Sequence, residues 1–160
     1  MATKSLFLLR HAKAINRGVL IPDQDRPLAD SGVKDAKRLG NYLLKKALDF
    51  DLILSSPAVR AITTAQIVAN KLGYKQKHLV VEKCLYEADV EVMLKLISSA
   101  PKKVDSLMIV AHNPGIDSLA STLTGEPISM STCALIELTL DIKSWDQVSD
   151  VKACEFNVLN

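Results

Sequence analysis

Two histidines and two arginines stand where apolar runs of the chain end. Leu6-Phe7-Leu8-Leu9 is followed at once by Arg10-His11-Ala12, and Leu107-Met108-Ile109-Val110-Ala111 by His112-Asn113-Pro114-Gly115. A third run, Asp51 to Leu54, leads through Ser55-Ser56-Pro57 to Arg60. Guanidinium is permanently charged, and its planar fork matches phosphate oxygens. Arginines beside helix N-termini make an anion site, and phosphate is the usual occupant. A neutral histidine among them can act as a nucleophile, held in the right tautomer by a partner on its other nitrogen. Nearby cations lower its pKa and keep it unprotonated. Arg26, from the loop after the first run, can join the same group. One such residue at a strand end is usually just solvated. Three successive run ends carrying them is a pattern that calls for a site.

The elements that must position these residues read as an α/β fold. Four or five consecutive apolar residues describe a strand buried on both faces, as in a parallel sheet. In such sheets ligands bind beyond the carboxyl ends of the strands. Ala12 to Asp30 is a long irregular stretch with Gly18, Pro22, Asp23, Asp25, Arg26 and Pro27, and a loop of that length is usually functional or disordered. Its Asn16 and Arg17 are further residues with the chemistry to reach a phosphate. Asp30 or Ser31 is expected to cap a helix whose apolar face is Val33, Ala36, Gly40, Leu43, Leu44 and Ala47. Ser55-Ser56-Pro57 offers a cap and a first-turn proline to a second helix, with Ala58, Ile62, Ala65, Ala69 and Leu72 in one stripe up to Gly73.

His78 to Val81 is a weak third strand, and the polar Lys75 to His78 stretch marks His78 as solvated. Val90, Met93, Leu94 and Ile97 mark a third helix, stopped by Pro101. Asn113 is the expected cap of a fourth helix reaching about Leu123. Ala134, Ile136, Leu138 and Leu140 alternate with Leu135, Glu137 and Thr139, and Val151 to Val158 alternates similarly. These are two antiparallel strands toward one edge, joined by a polar connection around Asp141 to Asp150. No repeat, linker or low-complexity segment interrupts the chain, so residues 1–160 are expected to form one domain.

Composition narrows the function. The 160 residues can bury a substantial core, with 48% hydrophobic and 24% charged residues. A net charge of +2 argues against bulk nucleic-acid binding, which needs a clustered basic face. Cys84, Cys133 and Cys154 are far apart and lack metal-site or CxxC spacing, so buried thiols in a reducing compartment are expected. Neither a signal peptide nor a stretch of roughly 18 apolar residues is present, which reads as a cytoplasmic protein off the membrane. Ser55 and Ser56 lack the G-x-S-x-G elbow of a serine nucleophile. Asp23 or Asp117 could join the histidines on a metal, yet no H-x-H or HExxH spacing supports this, and the arginines would repel a divalent cation. No Gly-rich loop follows the first strand, which excludes a nucleotide-binding reading.

The same residues resemble a known family. Leu9-Arg10-His11-Ala12 is similar to the Arg-His-Gly signature of the histidine phosphatase superfamily, with alanine in place of glycine. Arg26-Pro27-Leu28 to Gly32 resembles the loop segment that follows there. Ser55-Ser56-Pro57-Ala58-Val59-Arg60-Ala61-Ile62-Thr63-Thr64-Ala65 resembles its S-S-x-x-x-R-A-x-x-T-A segment, and Ala111-His112-Asn113-Pro114 its second-histidine segment. The short chain, without a large helical insert, resembles the compact SixA-type phosphohistidine phosphatase branch. The resemblance implies a three-layer α/β/α, phosphoglycerate mutase-like fold with a mostly parallel sheet and an antiparallel C-terminal edge. It also implies that His11 is the phosphorylated nucleophile. Arg10, Arg60 and His112 would bind the phosphoryl group, Arg26 would add a contact from the loop, and no metal or other cofactor would be needed.

Larger members place an acidic general acid after the third strand, and Glu87 is the candidate here. A phosphate ester expels a poor alkoxide, for which a carboxylic acid contributes roughly 10²–10⁴-fold. Phosphohistidine expels imidazole, which is readily protonated near neutral pH and needs less help. The expected substrate is therefore phosphohistidine in a protein, for instance a histidine-containing phosphotransfer domain in a signalling pathway. A phosphomonoesterase of small phosphorylated metabolites is one alternative. A non-catalytic phosphate- or phosphoprotein-binding module is another, against which stand both histidines, because binding needs only the arginines.

Overall fold

A computed structural model describes residues 3–16 and 20–160. The Leu6–Leu9 run lies within strand β1 (Lys4–Arg10), followed by helix α1 (Asp30–Lys45), β2 (Leu52–Ser55) and helix α2 (Val59–Lys71). Strand β3 (Leu79–Val81), α3 (Val90–Ser98), β4 (Ser106–Ala111), α4 (Gly115–Thr124), β5 (Leu135–Leu140) and β6 (Glu155–Val158) complete the order. The six strands form one sheet in the order β3-β2-β4-β1-β5-β6. The first four are mutually parallel, and β5 and β6 are antiparallel additions at one side.

Strand alternation sorts the core into two layers. Leu6 and Leu8 of β1 face Met93 and Ile97 of α3 and Ile116 and Leu119 of α4. Phe7 and Leu9 face the opposite way, toward Ala36, Leu39 and Leu43 of α1 and Ala61, Ala65 and Val68 of α2. Helices on both faces give the three-layer α/β/α arrangement, and both faces of β1 are dry, as its continuous apolar run requires. At the amino end of the sheet, fully buried Trp145 donates its Nε1–H to the Val104 carbonyl at 2.7 Å. Lys4 is also buried there, donating to Lys102 O, Val104 O and the Asp105 carboxylate.

The helix ends differ from expectation. Neither Asp30 nor Ser31 caps α1, because the chain enters it through extended Ala29 with no side-chain cap and Asp30 is already helical. Leu39 lies on the buried stripe, whereas Leu44 is 55% exposed and Ala47 falls beyond the helix in a left-handed conformation. Pro57 stands ahead of α2, whose first residue is Val59. Ser56 Oγ accepts the Ala58 N–H at 3.2 Å and turns the chain one step earlier. Asn113 does not cap α4; its amide donates to the Met130 carbonyl at 3.1 Å, and Pro114 precedes the helix. Of the three free thiols only Cys133 is buried, whereas Cys84 and Cys154 are exposed on the surface. Among the described residues no helix is long and apolar enough to cross a membrane.

Candidate active site

Register brings the two histidines together. Arg10 pairs with Ala111 across the parallel β1–β4 ladder, so His11 and His112 leave the sheet at the same level. Their rings lie 5.1 Å apart between centroids, and each residue is only 8% exposed. Strand β2 flanks β4 on the other side, with the Ser56 N–H donating to Val110 O at 3.0 Å. Arg60 follows in the first turn of α2 and is 6% exposed.

The segments that carry the family resemblance fasten these pieces to one another. Thr64 Oγ1 donates to the Arg60 carbonyl at 2.7 Å and accepts the Ala12 N–H at 3.0 Å, tying α2 to the turn after β1. Ala12 is fully buried in that turn. A side chain on Gly32 would place its Cβ 2.1 Å from the Lys13 carbonyl oxygen, so the first turn of α1 passes under the loop only with glycine there. Cys133, at φ 64°, donates its N–H to the carbonyls of both Arg10 and His11. Met130 O accepts from Arg10 Nη1 at 2.9 Å and from Asn113, while the Asp117 carboxylate holds the Met130 N–H. Asp117 is thus a loop anchor.

Hydrogen bonding assigns the His11 tautomer. Its Nδ1 is 2.8 Å from the Ala12 carbonyl, which can only accept, so Nδ1 carries the proton and Nε2 keeps its lone pair. Burial, above all, lowers the His11 pKa to about 4, with Arg60, Arg10 and Arg26 adding to the shift. The expected direction therefore holds, although dehydration outweighs the cations as its cause. His112 falls to about 3, again chiefly through burial, then through His11 and Arg60. Both imidazoles are neutral at neutral pH. Buried Arg10 Nε, Arg60 Nε and His112 Nδ1 have no hydrogen-bond partner among the described residues.

Asp23, read from the sequence only as a possible metal ligand, is instead the counter-ion of the site's arginines, a role that sequence reasoning misses. It sits in a short 3₁₀ turn, Asp23–Asp25, of the long loop. Its backbone carbonyl accepts from Arg60 Nη1 at 2.7 Å and its carboxylate from Arg60 Nη2 at 3.0 Å. The carboxylate also accepts from Arg26, whose Nη1 in addition reaches Ile15 O at 2.8 Å, and from Tyr86 Oη at 2.6 Å. The Tyr86 ring stands edge-on to His112, 5.7 Å between centroids. Arg26 therefore reaches the site mainly through Asp23. Its i,i+3 pairing with Arg26 is local, but nothing nearby in the sequence marks the bonds to Arg60 and Tyr86. The only signal is that two arginines in one anion site need a counter-charge.

A cavity of about 520 Å³ opens from Arg60 and His112, and Glu87, Asp89, Val90, Pro114 and Ser118 are among the residues lining it. Glu87 is exposed on that wall and holds a left-handed conformation, φ 55°. A side chain on Gly115 would place its Cβ 2.0 Å from the Ala88 carbonyl oxygen, so the two walls touch there. Asn16 is an exposed loop residue, and Arg17 lies outside the described residues. His78 stacks edge-on to Tyr74, 5.7 Å between centroids, at the β3 entrance. No cluster of three or more His, Cys, Asp and Glu side chains suited to a metal occurs among the described residues.

A three-layer α/β/α fold with neutral histidines and arginines at the carboxyl edge of its sheet defines a phosphate-handling α/β protein. Residues 6–96 match the model of the histidine phosphatase superfamily (branch 1), and the chain belongs to that family. An uncharacterised protein of Mycobacterium leprae is 34% identical over 73% of this chain and 71% of its own length. Phosphohistidine phosphatase SixA of Escherichia coli is 26% identical over 85% of both chains. The crystal structure assigned to SixA of Agrobacterium tumefaciens superposes with a TM-score of 0.78 and 28% identity, covering 96% of this chain and 97% of its own. Within the family the chain is of the SixA type.

Proposed function

We propose that the chain is a phosphohistidine phosphatase that works through a covalent phosphohistidine on His11. The observation that carries this is the pairing of a bare His11 Nε2 with three partnerless buried nitrogens, Arg10 Nε, Arg60 Nε and His112 Nδ1. A phosphoryl group in flight has three equatorial oxygens, and phosphoryl transfer is catalysed mainly by positioning and charge stabilisation. In the first step His11 Nε2 attacks phosphorus, the substrate P–N bond breaks, and the leaving imidazole takes up a proton from solvent. Water then attacks phosphorus, the P–Nε2 bond breaks, and inorganic phosphate and neutral His11 are released. No step calls for a metal.

The cavity beyond the phosphoryl position supports a protein substrate. Arg60 is its one cationic wall residue among those described, facing the carboxylates of Asp23, Glu87 and Asp89. Such a wall repels a second anionic group on a small metabolite and accommodates a neutral or cationic imidazole on a phosphoprotein. The reading takes the whole chain as one catalytic domain acting in the cytoplasm on a phosphorylated signalling protein. A second reading, a phosphomonoesterase of small metabolites, draws on Glu87. Its place on the same wall and its left-handed backbone are what a built-in proton donor would have.

One experiment separates the readings. A phosphohistidine peptide and an aryl phosphate are hydrolysed side by side, with mass-spectrometric trapping of phosphate on His11. The proposal expects the peptide to be preferred, trapping to vanish in His11→Ala, and Glu87→Gln to leave peptide turnover nearly intact. A Glu87→Gln variant crippled on esters, with esters preferred by the wild type, would establish the second reading. Binding of phosphopeptide with no turnover of either substrate would make the chain a binding module.

A further inference from the structure

Ser56 is fully buried at the end of β2, between α2 and His112. We infer that Ser56 is a positioning residue for His112: its hydroxyl donates to Nε2, fixes the imidazole proton on Nδ1, and leaves that N–H for a phosphoryl oxygen. The inference rests on the reading of the site under Proposed function and adds a residue to it.

The geometry leaves one consistent arrangement of protons. Ser56 Oγ is 2.7 Å from His112 Nε2, the short end of hydrogen-bond distances. The same oxygen accepts the Ala58 N–H at 3.2 Å. If His112 Nε2–H were the donor, Ser56 Oγ would accept twice and its own proton would have nowhere to go. No other hydrogen bond of this hydroxyl occurs among the described residues, and a buried hydroxyl proton left unmatched is costly. If instead Ser56 donates, its proton and a lone pair are both used. Nε2 becomes an acceptor, and the single proton of a neutral imidazole must sit on Nδ1. Nδ1 is the nitrogen that is buried with no partner.

The two histidines are thereby held in the same tautomer by different means and for opposite uses. In His11 a carbonyl takes the Nδ1 proton, exposing a lone pair at Nε2. In His112 a hydroxyl takes the Nε2 lone pair, exposing a proton at Nδ1. One ring attacks and the other donates. With the Ser56 hydroxyl removed, His112 is free to place its proton on either nitrogen, and the Nε2–H form would offer the phosphoryl group a lone pair. The Ser-Ser segment that reads as a helix cap is then also the device that sets the second histidine.

The first readout needs no substrate. Nitrogen-15 spectra of the histidine rings at neutral pH tell protonated from bare nitrogens, with His112 assigned by its loss in His112→Asn. The expected wild-type spectrum has His112 protonated at Nδ1 and bare at Nε2. Ser56→Ala should give a mixed or reversed tautomer and a fall in kcat on the order of 10- to 100-fold, the scale of losing a group that orients a reacting histidine. KM should change little, and Ser56→Thr, which keeps the hydroxyl, should retain the Nδ1–H form. A wild-type spectrum with the proton on Nε2 overturns the inference, even where Ser56→Ala fails to fold. So does a folded Ser56→Ala that keeps the Nδ1–H form and full turnover. Because the spectrum is read without turnover, its outcome is independent of phosphate trapping at His11.

Discussion

Arg60 reaches Asp23 with both of its terminal nitrogens, Nη1 to the backbone carbonyl and Nη2 to the carboxylate. The guanidinium is thus clamped along its outer edge, and Nε is the nitrogen left without a partner. Arg10 follows the same plan, held through Nη1 by Met130 O with its Nε bare. Each arginine is oriented by protein acceptors before any anion arrives, which is the preorganisation that charge stabilisation requires.

Arg60→Lys should therefore lose more than a charge-conserving change suggests. An ammonium has no fork to divide between Asp23 and a phosphoryl oxygen. The expected fall in kcat/KM is roughly 10²–10³-fold, the effect of removing one preorganised donor. Steady-state kinetics at wild-type level would place Arg60 outside the reaction.

Asp23→Asn tests the counter-charge. The amide keeps the shape and can still accept, while the negative charge beside the phosphoryl position is gone. Inhibition by inorganic phosphate should tighten roughly tenfold, the scale of one charge acting over about 10 Å at an effective dielectric near 20. Added salt should shrink the difference. An unchanged inhibition constant would mean that Asp23 is not felt at the site.

Stability should decline on acidification because of the two histidines. Their pKa values, about 4 for His11 and about 3 for His112, lie below the ordinary 6.5, mainly because both rings are buried. Between 6.5 and 4 an unfolded chain takes up protons that the fold refuses, so their cost is absent above 6.5 and grows as pH falls. Urea midpoints taken from about pH 7.5 to about pH 5 should drop in the wild type. The drop should be shallower in His11→Asn, and equal slopes would show that the buried rings do not govern it.

Gly115→Ala should cost about 1–3 kcal/mol, the usual range for an over-packed contact. The added methyl meets the Ala88 carbonyl oxygen, backbone that cannot rotate aside. Because Ala88 adjoins Glu87 on the cavity wall, turnover should fall along with the urea midpoint. A variant as stable as the wild type would mean that the two walls separate easily.

Strand interiors are legible in the sequence because a doubly buried strand cannot alternate, and the runs at Leu6 and Leu107 do not. Their ends are legible too, because Arg10, His11 and His112 are expensive residues just past apolar runs. The counter-ion role of Asp23 is hidden because two of its partners, Arg60 and Tyr86, are 37 and 63 residues away along the chain. Ser56 reads as a cap, and it does accept from Ala58; its second bond to His112 depends on β2 lying beside β4. The helix starts at Asp30 and Asn113 mislead for the opposite reason. Good capping residues are present, but tertiary contacts have other uses for them.

The chain has a single tryptophan, and Trp145 lies at the end of the sheet away from the histidines. It packs beside Lys4, whose Nζ is 5.6 Å from its ring centre, while His11 lies beyond the opposite end of the same strand. Lys4 and Arg10 are the two ends of the seven-residue strand β1, about 20 Å apart at the usual strand rise. Its emission is consequently an optical report on whether the sheet and the α3 side are assembled, and it is deaf to occupancy of the site. Unfolding can be followed by fluorescence in the presence of a ligand that does not itself absorb in the tryptophan range, whereas ligand titrations need a reporter introduced near Tyr86.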